Sequence, residues 1–441
     1  MIGRRVGDAA GRYVRLAGMR PYNVLVAAEQ LSAIGDAVSV LAVPIFVFGA
    51  TNSALAAGAA VAARSLPWVF IGPAVAVWTD RYSRQGIMVA CDLGRAVLTA
   101  ALFLVTPLPA IVVVVLGIGT MSAIQRSARA SLIPSVVGRV DYPTAASLQR
   151  MLLVVGTAVG SAIGGVLIAR IGARYGFLVD AGSFAASGAL VLSVRVPAGA
   201  KRGGGGGGLL EGWRQVFAHR QVAFTLWTCT LGFVLSSGGT LLATRAQAVV
   251  FHADASLTGN LIAVVSVGVA VGSIAMGSST WLRDRYPPAA GPLVFALAYA
   301  TMTLVPRPQL MFLTWTLAGL VMGAHLVYLN VIVVQGLPNS VLGRATSVIN
   351  AVGYSALVIG PYLTGALLDR LGPRYAPLGL ALVGAAAVPA AALASRAVAR
   401  RLGVESPGRG GEGDAPREAE RSHTEAAQAV EVPSGNPVKR R

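Results

Sequence analysis

Lysine occurs only at positions 201 and 439 of the 441-residue chain, and neither is followed by serine or threonine. A phosphate-cradling G-x-x-x-x-G-K-[ST] loop is therefore excluded, and with it an ATP motor carried by the chain itself. Cysteine is equally scarce. Cys91 and Cys229 both fall inside apolar runs and fit neither metal-ligand nor disulfide-framework spacing, so both read as buried, inert thiols. Charged residues make up 12% of the chain, about half the usual share in a soluble protein. Outside the apolar runs there is no metal cluster, nucleophile elbow or pair of catalytic carboxylates. The expectation is a chain with no enzymatic activity, no metal and no cofactor.

What the chain has in abundance is apolar sequence, with hydrophobic residues at 55%. Twelve apolar stretches fill it between Tyr22 and Val398, most of them long enough to cross a bilayer. About 20 apolar residues in helical form match a hydrocarbon core of about 30 Å. The stretches read as helices over roughly 22–48, 54–78, 86–106, 109–132, 144–169, 175–194, 222–247, 256–282, 289–305, 309–334, 345–368 and 375–398. So many cannot be packed into a water-soluble domain. The expected class is an all-α integral membrane protein with twelve transmembrane helices.

A net charge of +18 might point to nucleic acid, but the placement of the basic residues argues otherwise. With the N-terminus inside, sixteen Lys and Arg fall on inner ends and short inner loops and six on outer loops. That bias sets orientation in membrane proteins. Both termini are expected in the cytoplasm, the protein in the cytoplasmic (inner) membrane, and nucleic acid is not expected as a partner. The basic start runs into an apolar stretch too long for a signal-peptide core, so the first helix is expected to stay in the protein.

The stretches divide six and six. Segment 1–21 reads as a cytoplasmic N-terminal piece, 22–196 as a first six-helix bundle, and 197–221 as a cytoplasmic linker. The linker holds Lys201, Arg202 and six glycines at 203–208, a flexible composition. Leu209, Leu210, Trp213, Val216 and Phe217 then share one helical face, as in a helix lying in the membrane interface. Residues 222–400 read as the second bundle, and 401–441 as a disordered cytoplasmic tail.

The two bundles repeat one another. Gly165 to Tyr175 recurs as Gly365 to Tyr375, with six of eleven positions identical at an offset of 200. Asp80-Arg81-Tyr82 recurs as Asp284-Arg285-Tyr286, and Pro134 with Gly138-Arg139 recurs as Pro338 with Gly343-Arg344. Three recurrences in one order indicate duplicated halves, the design of one class of secondary transporter whose substrate site lies between the halves near the midplane.

At these residues the chain resembles the major facilitator superfamily. The family's inner loop G-x-x-x-D-R-x-G-R-[RK] appears as Ala76, Asp80, Arg81, Ser83, Arg84 and Gln85, with the acid and two arginines kept and both glycines replaced. The resemblance implies an inner gate at Asp80, Arg81 and Arg84, repeated at Asp284 and Arg285. The family's antiporter signature G-x-x-x-G-P-x-x-G-G appears as Gly156, Gly160, Ser161, Gly164 and Gly165, and Gly360-Pro361 keeps the Gly-Pro pair in the second half. These read either as a hinge or simply as close helix packing. The tract Glu29–Arg95 is most similar to the branch holding the enterobactin exporter and the macrolide efflux proteins; it includes Gly35-Asp36, Arg64, Pro67, Asp92 and Arg95.

Ionisable residues inside a span are costly, so each is a candidate for function. Asp36 lies 15 residues beyond Pro21, and Arg64 lies 16 before Asp80 on the next, antiparallel helix, so the two sit at similar depth and can pair. Glu29 and Arg126 are each 8 residues from a proline at the inner end, at Pro21 and Pro134, and may face each other across a cavity. Two readings stay open, fixed structural ion pairs or a proton switch in which a carboxylate that loses its arginine inside a dry cavity takes a proton. His325, midway along the tenth helix, is a further candidate relay or a hydrogen-bonded packing residue. The expected function is efflux of a small amphipathic organic compound (a drug, antibiotic or siderophore) by proton antiport and alternating access, by a monomer whose partners are its substrate, protons and the lipid bilayer. The alternatives are a uniporter or proton-coupled importer of the same fold, or a non-transporting receptor or scaffold.

Overall fold

The computed structural model describes residues 14–79, 83–194, 209–337 and 342–401. Asp80 and Arg81, the six-glycine run of the linker, residues 1–13 and the tail from 402 lie outside the described residues. Among the described residues every regular element is a helix. That follows from the solvent, because backbone N–H and C=O groups in hydrocarbon must be satisfied within the segment itself.

The helices are α1 (Arg20–Thr51), α2 (Ala54–Thr79) and α3 (Arg84–Ala101), α4 (Leu108–Gly138) and α5 (Thr144–Ile171), and α6 (Ala173–Leu192) and α7 (Leu209–Ala218). They continue with α8 (Arg220–Val249), α9 (Ala255–Ser278), α10 (Thr280–Arg285), α11 (Ala290–Leu304), α12 (Pro308–Gly336) and α13 (Leu342–Arg401). Among the described residues eight segments are long and apolar enough to cross a membrane, and α13 supplies only one of them, Ala345–Leu393, although Gly372 breaks it. Helix α3 falls short on hydropathy because it carries Arg84, Asp92 and Arg95.

Local signals explain the ends. Pro21 and Pro308 occupy first-turn positions of α1 and α12, where a missing N–H costs nothing. Ser83 caps α3 by accepting from the Gly86 N–H at 3.1 Å, and Asp254 caps α9 by accepting from the Ser256 N–H at 2.9 Å. The carboxyl of Asp254 is held below its ordinary range by the Ser256 hydroxyl and N–H. The duplicated glycines behave alike. Gly172 (φ 87°, ψ 158°) separates α5 from α6, and Gly372 (φ 74°, ψ 168°) breaks α13. Both are backbone conformations that only glycine adopts easily.

Helices α1 to α6 pack among themselves, and α8 to α13 do the same. The two groups meet along two seams, α2 against the first arm of α13 and α5 against α9. Small residues make both seams possible. A methyl group at Gly165 would stand 2.9 Å from the Ala255 carbonyl oxygen, and one at Gly365 2.5 Å from that of Ala54. Where α2 and α9 begin, one hydrophobic core runs through both groups, from Leu41, Ala57 and Phe177 to Leu241, Leu261 and Trp315. Where α1 begins, the groups keep separate cores, Tyr22, Met88 and Leu132 in the first and Leu226, Tyr328 and Val348 in the second. Among the described residues, therefore, the two groups are sealed together at one end only.

A carboxylate reinforces that seal. Asp369, on α13, accepts from the N–H groups of Ala54 at 2.8 Å and Leu55 at 3.0 Å and from the Ser53 hydroxyl at 2.8 Å. It thus adds a cap from the other helix group to the N-terminus of α2, whose own Ser53 hydroxyl accepts from the Ala56 N–H at 3.1 Å, and places a negative charge at the positive end of the helix dipole. The duplicate position in the first group is Ala169, and α9 is capped by its own Asp254 instead. Helix α7 differs from a freely interfacial helix, since Val216 is buried in the second group's core and Phe217 stacks on Trp213 at 5.3 Å.

Replacing Asp369 by Ala should lower stability by about 1 kcal/mol, the usual cost of losing a cap. Thermal unfolding of the detergent-solubilised variant is the measurement, and a midpoint equal to the parent's would show that the cap contributes nothing to the seal.

Candidate functional site

A cavity of about 410 Å³ lies between the two helix groups, bounded by the sealed end. Glu29 and Asp36 reach it from α1, seven residues or two turns apart and so on one face. Arg64 and Trp68 come from one face of α2 at i,i+4, Arg95 from α3, and Gln125, Arg126 and Arg129 from adjacent turns of α4. The second group contributes Ser237, Thr240 and Leu241 of α8 and Leu357 and Pro361 of α13. Every charged side chain of the lining therefore belongs to the first group.

These charges form two linked clusters. In the deeper one, Arg64 donates a short hydrogen bond to Asp36, the pairing expected from their matched depths. Arg95 approaches the other Asp36 oxygen at 3.8 Å. Arg95 also donates to Asp92 and to the Gln125 side-chain oxygen, and lies 4.1 Å over the Phe184 ring. Asp92 is fully buried and accepts a further bond from Ser187 at 3.0 Å. Behind α1, the buried Asp180 accepts from Ser39 and, at 3.3 Å, from Ser183. In the second cluster, Glu29 pairs with Arg129 at 2.7 Å and accepts from Gln149 at 2.9 Å.

Arg126 is not the partner of Glu29, a correction to the sequence-based pairing. One helical turn decides it, because Arg129 points along α4 toward Glu29 while Arg126 turns into the cavity and stacks on Trp68 at 4.2 Å. His325 takes the second of its two readings, the hydrogen-bonded packing residue. It is fully buried inside the second group, 3.3 Å from the Thr228 hydroxyl and 3.3 Å from the Thr225 carbonyl, and does not line the cavity. Gly291 lets it in, since a methyl there would meet the ring nitrogen Nδ1 at 2.7 Å.

Of the gate residues, Arg84 is half-buried in the first turn of α3, while Asp284 and Arg285 are exposed on the short α10, with Arg285 stacked 5.0 Å over Trp281. The glycines sit at helix contacts. A methyl group would meet Gln30 at 2.6 Å from Gly156, the Ile34 backbone at 2.7 Å from Gly160 and Val38 at 3.1 Å from Gly164, all on α1. Gly165 instead faces α9 of the other group, Gly360 faces α8, and the Pro361 carbonyl lies against Gly58 of α2.

Sequence reasoning missed Arg129, Gln125 and Trp68 as cavity residues. A signal existed in the i,i+3 spacing of Arg129 from Arg126 and the i,i+4 spacing of Trp68 from Arg64. It also passed over Ser237 and Thr240, whose types carry no signal in an apolar run.

The model of the Major Facilitator Superfamily matches residues 26–305. The multidrug efflux pump Tap of Mycolicibacterium fortuitum is 25% identical over 386 residues, covering 82% of this chain and 92% of its own. The enterobactin exporter EntS of Citrobacter koseri is 26% identical over 362 residues, covering 78% of this chain and 83% of its own. Among solved structures, the nucleoside transporter NupG superposes with a TM-score of 0.68 at 14% identity, over 86% of this chain and 98% of its own. A bacterial homologue of the human lysosomal transporter Spinster, in an inward-facing, unoccupied conformation, gives 0.64 at 16% identity, over 87% and 94%. At such identities the structural likeness concerns the fold alone.

The buried pair can be tested on its own. Asp92→Ala leaves the Arg95 guanidinium without its closest carboxylate in a dry site and should cost about 3 kcal/mol or more. Removing both charges in Asp92→Ala/Arg95→Met should recover much of that loss. Equal unfolding midpoints for the single variant and the parent would refute the role given to this pair.

Proposed function

The chain belongs to the Major Facilitator Superfamily, and from that premise we propose a twelve-span secondary transporter that exports a small amphipathic organic compound by alternating access and proton antiport. The observation that carries the reading is the charged chamber between two helix groups that share a core at one end only. The twelve spans are the eight long apolar segments, the extra one made by the Gly372 break, and α2, α3 and α11. The halves are residues 22–196 and 222–400, joined by the linker 197–221, in a monomer of the cytoplasmic membrane with both termini inside. With that orientation the sealed end faces out and the chamber opens to the cytoplasm.

Pivoting takes place at the small-residue seams. Gly165 against α9 and Gly58 and Gly365 between α2 and α13 let backbones slide with little side-chain interlock. Opening outward requires Asp369 to leave the N-terminus of α2 and the inner ends to close. That closure is assigned to Asp80, Arg81 and Arg84 with their duplicates Asp284 and Arg285. Export as the direction is supported by the relatives named an efflux pump and an exporter, which align over most of the chain. Proton exchange is assigned to Glu29 and Asp36, the two carboxylates of the chamber lining. A carboxylate whose guanidinium turns away in a dry chamber takes a proton.

A second reading, a proton-independent facilitator, has one observation in its favour. Glu29, Asp36 and all the arginines they touch sit on the first group, so rigid pivoting leaves those pairs intact.

A compound-panel susceptibility screen of null and overexpressing strains identifies the cargo, and proteoliposomes with the membrane potential clamped at zero test the coupling. One pH unit is worth about 1.4 kcal/mol per proton, so one-for-one exchange should shift the cargo accumulation ratio about tenfold per unit. Asp36→Asn or Glu29→Gln should abolish that shift. Cargo movement indifferent to the pH gradient in the parent protein would sink proton exchange and leave the facilitator reading.

A further inference from the structure

The chamber holds more hydrogen-bond donors than the protein can satisfy. Arg64, Arg95, Arg126 and Arg129 line it against only two carboxylates, Glu29 and Asp36, a surplus of two positive charges in the lining. Asp92, behind the wall, offsets one of them through Arg95, and the buried Asp180 lies close enough to Arg64 and Arg95 to offset part of the rest. Both lining carboxylates are already engaged by guanidiniums. Among the described residues Arg126 has no carboxylate partner and rests on Trp68. Four further buried nitrogens lack an acceptor, namely Arg95 Nε, Arg129 Nε and Nη2, and Gln125 Nε2. Arg95 and Gln125 are 2% and 5% exposed, so their free donors lie behind the chamber surface, whereas Arg126 is exposed to it. A guanidinium without a carboxylate in the chamber wall marks a place for an anion.

The rest of the wall states what the anion is attached to. The second group presents no charge, only Ser237, Thr240, Leu241, Leu357 and Pro361, and Trp68 offers a flat aromatic face. The Ser237 hydroxyl already donates within its own group, to the Ala356 carbonyl at 3.1 Å. The volume of about 410 Å³ accommodates a small organic molecule and leaves little room beyond it.

We propose that this chamber binds an organic anion, its carboxylate, sulfonate or phosphate group seated on the guanidinium of Arg126, and its apolar body against Trp68, Leu241 and Leu357. The inference deepens the transporter reading and rests on the chamber being its transport site, but it does not depend on the proton step. It assigns Arg126 to direct contact with the ligand, and Trp68 to the orientation of both the guanidinium and the ligand's ring.

The test uses the full chain in phosphatidylcholine nanodiscs and three probes of one shape and different charge, naphthalene-2-sulfonate, 2-naphthylmethanol and 2-naphthylmethylammonium, with binding read by calorimetry. The sulfonate should bind at least about tenfold more tightly than the other two, as charge-assisted pairing with guanidinium requires. Arg126→Gln should weaken it by about tenfold or more, while Arg126→Lys, which keeps the charge, should lose less. Among the described residues Arg126 is exposed and stacks on the half-buried Trp68 without a carboxylate partner, so neither variant breaks a buried ion pair. Equal or tighter binding of the ammonium probe, or Arg126→Gln binding the sulfonate as the parent does, overturns the proposal. Repeating the titration in phosphatidylglycerol nanodiscs separates the sources of the anion. Loss of sulfonate binding there supports the anion site and makes a lipid headgroup its occupant, whereas unchanged binding supports a soluble ligand. Counterflow in proteoliposomes keeps the two readings apart. Arg126-dependent binding with no probe carried leaves the anion site standing and removes the transporter reading; carriage of the ammonium probe with no sulfonate binding does the reverse.

Discussion

Asp36 is held from two sides, by Arg64 of α2 and Arg95 of α3, and the first helix group is organised around that carboxylate. Arg95 ties α3 onward to Gln125 of α4, while Asp92 ties it to Ser187 of α6. Five helices, α1 to α4 and α6, are thus fastened through polar contacts. In lipid there is no hydrophobic force between helices, so packing and such hydrogen bonds must set their positions. The neighbouring glycine shows the constraint at work. A methyl group at Gly35 would strike Asp180 and Ser183, so α1 and α6 approach closely enough to bring the Ser39 hydroxyl onto Asp180.

The second helix group is built by different means. Its interior is aromatic and aliphatic, with Tyr299 edge-on to Trp315 at 5.8 Å and Tyr286 against both His325 and Tyr328. The duplicated sequence has therefore diverged in chemistry while keeping its backbone breaks. One half carries the charge and the other presents a smooth apolar wall. A chamber made from two such walls is amphipathic by construction, with a donor-rich side and an apolar side facing one another. The same asymmetry reaches the sealed end, where α2 adds to its own Ser53 cap a carboxylate from the opposite group and α9 is capped by its own Asp254.

Much of this was legible in the residues. Apolar run length gave the helices, because in hydrocarbon an apolar run of that length has no other way to satisfy its backbone. The recurrence of Gly165 to Tyr175 at Gly365 to Tyr375 anticipated matching breaks at Gly172 and Gly372. Equal depth on antiparallel helices brought Asp36 and Arg64 together. Depth reckoning failed at Glu29, where Arg126 and Arg129 differ by less than one turn in height and by only about 60° in direction. At His325 it left two readings open, since position along a helix says nothing about which side of the bundle a residue faces.

The sequence by itself determined the class of the protein, the helical segments, the internal duplication and the presence of costly charges within the spans. These depend on the chain's composition and local periodicity. Tertiary structure alone decided which guanidinium meets which carboxylate, that every charge of the chamber comes from one half, and that Trp68 and Arg126 meet inside it. It also decided that Asp369 caps a helix more than 300 residues away in sequence. Such pairings depend on helix rotation about its own axis, which no pattern of apolar residues specifies when both faces of a helix are apolar.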